Sequence, residues 1–208
     1  MTTAALVLVI AYFVAAVGFR IWLQIRRTGD SGFRGFSGRP GSIEWIGGVL
    51  FVLATITMFS APVAAVIGLE PIDVLVRPGL QVVGVVVAIA GIVGTVVSQL
   101  AMGASWRIGV DADERTSLVT TGVFAHVRNP IYTAMILAAI GLVMIVPNVI
   151  SLVGFVFLVA ALQLQVRAVE EPYLARLHGA AWDAYAARVG RFIPLTGRRT
   201  QRRRRAPR

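Results

Sequence analysis

Five apolar runs separated by short polar segments decide what this chain can fold into. Ala4–Ile25 is broken only by Arg20 and Gln24 near its end, and Trp45–Ile67 and Leu80–Met102 carry no charge at all. Ile131–Val146 and Val149–Val166 are shorter and meet at Pro147-Asn148, a dipeptide that reads as a tight turn. A helix needs about 20 apolar residues to cross the hydrocarbon of a bilayer. A buried helix of a soluble protein would show a polar face, and none of the middle three runs has one. The composition agrees: 57% of residues are hydrophobic and 14% charged, against roughly 45–50% and 25% in soluble domains. The predicted architecture is all-α, a polytopic membrane bundle of five transmembrane helices whose last two form a C-terminal helical hairpin. The first run lacks a basic start, is long, and is followed rather than preceded by arginines, so it reads as a retained span and not as a signal peptide. With no cysteine, disulfide scaffolds and thiolate zinc modules are excluded.

All 20 basic residues are arginine, and the formal net charge is +10. Arg20, Arg26, Arg27, Arg34 and Arg39 cluster at and after the end of the first run. Arg107, Arg115 and Arg128 lie between the third and fourth, and those from Arg167 onward follow the fifth. Arg77 alone lies between the second and third. The positive-inside rule then predicts an N-terminus outside and a cytoplasmic C-terminus, with nineteen of the twenty arginines on one side. The chain divides into three N-terminal helices (1–102), a polar-loop and hairpin core (103–194) and a basic tail (195–208). The tail, GRRTQRRRRAPR, suits anionic lipid headgroups at about 1 kcal/mol per arginine, and nucleic acid is not expected as a partner. The Lys-free composition, rich in Ala, Val and Arg, points to a high-GC bacterial source and so to a bacterial inner membrane.

Along the third run Gly84, Ala88, Gly91, Thr95 and Ser98 recur every three or four residues, a stripe that lets another helix approach closely. The Gly91-Ile92-Val93-Gly94 segment is no dinucleotide fingerprint, since no strand precedes it.

Three polar islands are left to carry chemistry. Gly29–Gly41 is a Gly- and Arg-rich connection without catalytic spacing. Gly103–Tyr132 ends in a helix start, with Asn129 as N-cap and Pro130 in the first position. Arg128 and Tyr132 flank that start, whose free N–H groups favour an anion. Arg167–Pro194 opens with Glu170 and Glu171 at the predicted end of the fifth span. Paired carboxylates there oppose the helix dipole and call for a cationic partner; near-membrane acids are functional candidates. Beyond them Leu174, Leu177, Trp182, Tyr185, Val189 and Phe192 trace the apolar face of a cytoplasmic amphipathic segment that lies in the interface or folds back over the bundle. His126 and His178, the two histidines, have no metal-ligand spacing, and no metal site is expected.

LVTTGVFAHVRNPIY, a short hairpin, and then EEPYLARLHGAAWDAYAARVGRFIP resemble the isoprenylcysteine carboxyl methyltransferase family and its phospholipid N-methyltransferase relatives. The family pattern is Leu-Val-x-x-Gly, an aromatic, and Arg-His-Pro-x-Tyr, followed after the hairpin by Glu-Glu-x-x-Leu, a Gly, two spaced aromatics and a Pro. Leu118, Val119, Gly122, Phe124, Arg128, Pro130 and Tyr132 match the first half; Glu170, Glu171, Leu174, Gly179, Trp182, Tyr185 and Pro194 match the second. The likeness covers about residues 103–194. Asn129 stands where the family usually has His, and Phe124 where Tyr is common.

The resemblance implies a membrane-embedded methyltransferase that uses S-adenosyl-L-methionine at the cytoplasmic end of the last two spans, on a lipid-like acceptor entering from the bilayer. By position it implies cofactor contacts from Asp111, Leu118, Val119, Phe124, Asn129, Pro130, Tyr132 and Glu170, with Arg128, Glu170 and Glu171 as catalytic candidates. An acid would meet the cofactor's ammonium, and Arg128 or the helix terminus its carboxylate. An acceptor carboxylate, already ionised, needs alignment and exclusion of water rather than a base. Two other readings stand beside it: a sterol-reductase-like enzyme using NADPH, and a non-enzymatic membrane scaffold holding anionic lipid through its tail.

Overall fold

Each apolar run becomes a helix that stops where the sequence supplies a stop. In the computed structural model, which describes residues 1–32, 38–107, 117–194 and 196, helix α1 spans Thr2–Thr28 and ends at Gly29, whose φ of 75° is left-handed. Helix α2, Ile43–Val66, starts under Ser42, whose hydroxyl accepts from the Trp45 N–H at 3.2 Å. Helix α3, Pro78–Met102, begins on a proline and runs into a 3₁₀ turn at Gly103–Ser105. Helix α4 is Pro130–Ile145, and α5 is Val149–His178. The start of α5 is capped reciprocally by Asn148 and Ser151, and Asn148 also donates to the Ala61 carbonyl at 2.9 Å, tying the turn to α2. After Gly179, at φ 49°, a short helix α6 follows over Ala180–Arg188.

Four helices, α1, α2, α3 and α5, are long and apolar enough to cross a membrane. The remaining predicted span, already the shortest run in the sequence, is too short to be counted with them. Helix α4 has 16 residues, about 24 Å at 1.5 Å per residue, against a hydrocarbon core of about 30 Å. Pro130 fixes its start, and Pro147, whose ring disfavours a helical residue before it, fixes its end. The side chains facing outward are apolar, as Val14, Ile56, Val86 and Val156 show. A lipid environment accommodates such a surface.

The two arms of the hairpin part company. Helix α4 packs chiefly against α3, and α5 chiefly against α2, with less contact between the arms themselves. The stripe of small residues explains the first pairing. A Cβ at Gly91 would lie 2.3 Å from the Ala138 backbone nitrogen, and one at Gly141 would lie 2.4 Å from that of Ala88. The backbones of α3 and α4 touch there, which only glycine permits.

Arg20 and Gln24, the interruptions of the first run, clasp the end of α3. Arg20 is buried, donates through Nη2 to the Gly103 carbonyl at 2.7 Å, and stacks over Trp106 with 4.3 Å to the ring centroid. Gln24 donates to the Ala104 carbonyl at 3.1 Å, and Gln99 returns a bond to the Ala16 carbonyl at 2.9 Å. The Gly103 and Ala104 carbonyls lie just past the C-terminus of α3, where a cation is favoured.

Candidate functional site

Pro172 shapes the site from within α5. It has no N–H to offer the carbonyl four residues back, and the helix widens into a π-turn over Gln165–Glu170 just before it. The helix then continues to His178, so the glutamate pair lies inside a helix and not at its end as predicted. Adjacent in sequence, the two carboxylates have different partners. Glu170 Oε1 accepts from the hydroxyl of Tyr132 on α4 and from Gln165 Nε2 at 3.4 Å. Glu171 is held by Arg191 on both oxygens, at 2.8 and 2.6 Å, and by Arg128 Nη2 at 3.1 Å. The cationic partners required by the pair are therefore Arg128 and Arg191, both on Glu171.

Arg191 comes from the segment after α6, which crosses the start of α4. The backbone N–H groups of Arg128 and Asn129 donate to the carbonyls of Gly190 and Arg191 at 2.8 and 3.1 Å, and Thr133 Oγ1 donates to the Phe192 carbonyl at 3.0 Å. This crossing changes the role of Asn129. Its position is the N-cap of α4, yet its side chain makes no cap bond and donates instead to the Arg191 carbonyl at 3.2 Å. The hydrogen bond to Glu171 holds the Arg191 guanidinium above its ordinary pKa, against the opposing effect of burial.

Helix α6 folds back over the polar loop. Trp182, Tyr185, Ala186 and Val189 pack with Leu118, Leu174 and Ala175, and the Tyr185 hydroxyl donates to the Phe124 carbonyl at 2.6 Å. Burial pushes that phenol up to about 12, with the Arg128 charge pulling the other way. Arg128 donates to the Ala186 carbonyl at 3.3 Å and lies 5.6 Å from the Trp182 ring centroid. The predicted amphipathic segment is thus the last turns of α5 and the short helix α6 on either side of Gly179, and α6 buries its aromatic face against residues 118–128.

A cavity of about 610 Å³ lies between these parts. Leu118, Val119, Phe124, Arg128, Asn129, Pro130, Tyr132 and Glu170 all line it. Asp111 lies outside the described residues, as does nearly all of the basic tail. Glu171, between Arg128 and Arg191, braces the site from behind its wall. The cavity also takes residues that the sequence did not single out. Trp106, Gln165 and Tyr173 join the polar end, and Leu8, Phe13, Phe51, Met58 and Leu142 line an apolar arm between the first helices and the hairpin. Gln165, a polar residue at the end of an apolar run, carried a readable signal; Trp106 and Tyr173 carried none. One end is therefore polar, with carboxylate, guanidinium, amide and phenol groups converging, and the other is hydrocarbon.

Residues 80–181 match the phospholipid methyltransferase family. A stretch of 78 residues is 33% identical to a protein-S-isoprenylcysteine O-methyltransferase of Schizosaccharomyces pombe, covering 38% of this chain and 33% of that protein. The match thus spans about a third of the relative's length.

Proposed function

We propose that this chain, whose residues 80–181 match the phospholipid methyltransferase family, is an integral membrane methyltransferase that uses S-adenosyl-L-methionine to methylate a lipid-like acceptor, at a carboxylate. The observation that carries the reading is the single cavity with a polar end and an apolar arm, lined by every described residue for which the family resemblance implies a cofactor contact.

The donor set fits the cofactor. It carries an ammonium, a carboxylate and a sulfonium, and the polar end offers the Glu170 carboxylate, the Arg128 guanidinium and the Asn129 amide. The volume falls within the roughly 300–1,000 Å³ of small-molecule sites. When bound, the cofactor supplies an activated methyl group on its sulfonium. Glu170 would hold the ammonium, and Tyr132 and Gln165 fix its carboxylate for that contact. Arg128 would meet the cofactor's carboxylate, its guanidinium held in place by Glu171, which Arg191 fixes in turn. Leu118, Val119 and Phe124 exclude water from the reacting end. The apolar arm would take the acceptor's hydrocarbon part and hold its carboxylate at the polar end, where an already ionised acceptor needs alignment and no general base.

In the membrane, α4 completes five crossings with help from the polar turns at its ends. The arginine distribution sets the N-terminus outside and the site at the cytoplasmic face. Calorimetric titration of the detergent-purified chain with S-adenosylmethionine and, separately, NADPH tests the class. Saturable binding of the first alone supports the proposal, and binding of NADPH alone replaces it with the reductase reading.

A further inference from the structure

Arg128 borders a second, smaller cavity of about 230 Å³, lined by Arg128, Arg191, Phe192, Ile193 and Thr196. Among the described residues, two guanidiniums line it and no carboxylate does. Arg191 bonds Glu171 through Nε and Nη2, which leaves Nη1 without a hydrogen bond to any described residue, on a side chain that is 18% exposed. The rim is apolar and open, with Ile193 at 64% exposure. A cationic floor with an exposed aliphatic edge, at the end of the bundle where α4 begins, has the two-part chemistry of a charged amphiphile.

We infer that this pocket holds the phosphodiester headgroup of an anionic membrane lipid, with Arg191 Nη1 donating to a phosphate oxygen and the lipid chain running over Ile193. The site shares Arg128 with the large cavity, but its headgroup contact is on Arg191, so it stands whether or not that cavity binds a methyl donor.

Nanodiscs of equal parts phosphatidylcholine and phosphatidylglycerol carrying the full chain, released for native mass spectrometry, give the test. Wild type should retain phosphatidylglycerol over phosphatidylcholine, and Thr196→Asp, which puts a carboxylate at the pocket's edge, should lower that preference about fivefold, the weight of roughly one arginine at an anionic surface. Arg191→Gln should do the same. Thr196 is exposed and, among the described residues, its side chain bonds only the Ile193 carbonyl, so Thr196→Asp leaves the Glu171 bridges in place and remains informative if Arg191→Gln unfolds. Residues 197–208, which carry the tail's arginines, are identical in all three proteins, so the difference between them isolates the pocket. Equal retention in wild type and Thr196→Asp overturns the inference. Stabilisation by inorganic phosphate in phosphatidylcholine nanodiscs, matching that by phosphatidylglycerol and lost in Thr196→Asp, would assign the pocket to free phosphate and overturn the lipid assignment.

Discussion

Tyr132 on α4 donates its phenolic hydrogen to Oε1 of Glu170 on α5, joining the two arms of the hairpin across the polar end of the cavity. A carboxylate so held is oriented before any ligand arrives, and orientation is what a methyl-transfer site has to provide.

Glu170→Gln isolates the charge of that group. The carboxamide keeps an oxygen for Tyr132 to donate to, so the fold should be unchanged. A charge-assisted contact to the cofactor's ammonium would become a neutral one, a loss of about 1.5–3 kcal/mol, or roughly 10- to 150-fold in affinity. Calorimetric titration with S-adenosylmethionine reads this directly, and unchanged affinity returns Glu170 to a structural role.

Glu171 should behave differently although it is the next residue. Glu171→Gln leaves two guanidiniums, Arg128 and Arg191, without their shared carboxylate, and breaking a buried pair costs about 3–5 kcal/mol. Thermal unfolding in detergent should show a large loss, and Arg191→Gln a related one, with the double variant less than additive. Arg191's folded-state pKa is raised, so its contribution is fully present below its unfolded pKa and is lost only as pH rises through the folded one. Both lie far above neutrality, so this contribution should stay flat across the neutral range. Additive losses would mean that Glu171 and Arg191 act independently.

The difference between these neighbours shows what the sequence could and could not reveal. Helix positions followed from hydrophobic runs and from proline and asparagine at their ends, because local chemistry sets both. The glycine stripe on α3 likewise announced a close helix partner, and α4 is that partner. What stayed hidden depends on groups far apart in the chain. Arg191 meets Glu171 across twenty residues, and Asn129 turns from its cap toward a carbonyl 62 residues away. The π-turn that separates Glu170 from Glu171 is a response to Pro172, visible as a residue but not as a geometry. The apolar arm draws on three helices whose runs all read alike.

Asn129 tests whether position 129 takes part in proton transfer. Its side chain bonds the Arg191 carbonyl and lines the cavity, a holding role that histidine can also fill. Asn129→His should preserve cofactor binding, and Asn129→Ala should weaken it. The pH–rate profile of wild type and Asn129→His should be superimposable once an acceptor is in hand. A new inflection near pH 6–7 in the variant, with faster turnover on an amine, would make the position catalytic.

Topology is open to cysteine labelling because the chain has no cysteine of its own. Asp73→Cys should react with a membrane-impermeant reagent added outside. Ser31→Cys, Asp113→Cys and Thr200→Cys should not. Outside labelling at position 113 would contradict the five-crossing arrangement and put the site on the wrong face.

The central claim is that the polar end of the large cavity holds the methyl donor. Direct ultraviolet crosslinking of methyl-tritiated S-adenosylmethionine to the purified chain, followed by peptide mapping, tests it at the level of residues. Label is predicted on peptides spanning Leu118–Tyr132 or Glu170–Leu174, suppressed by excess S-adenosylhomocysteine and strongly reduced in Glu170→Gln. Label confined to other helices, or label that S-adenosylhomocysteine does not displace, would contradict the account.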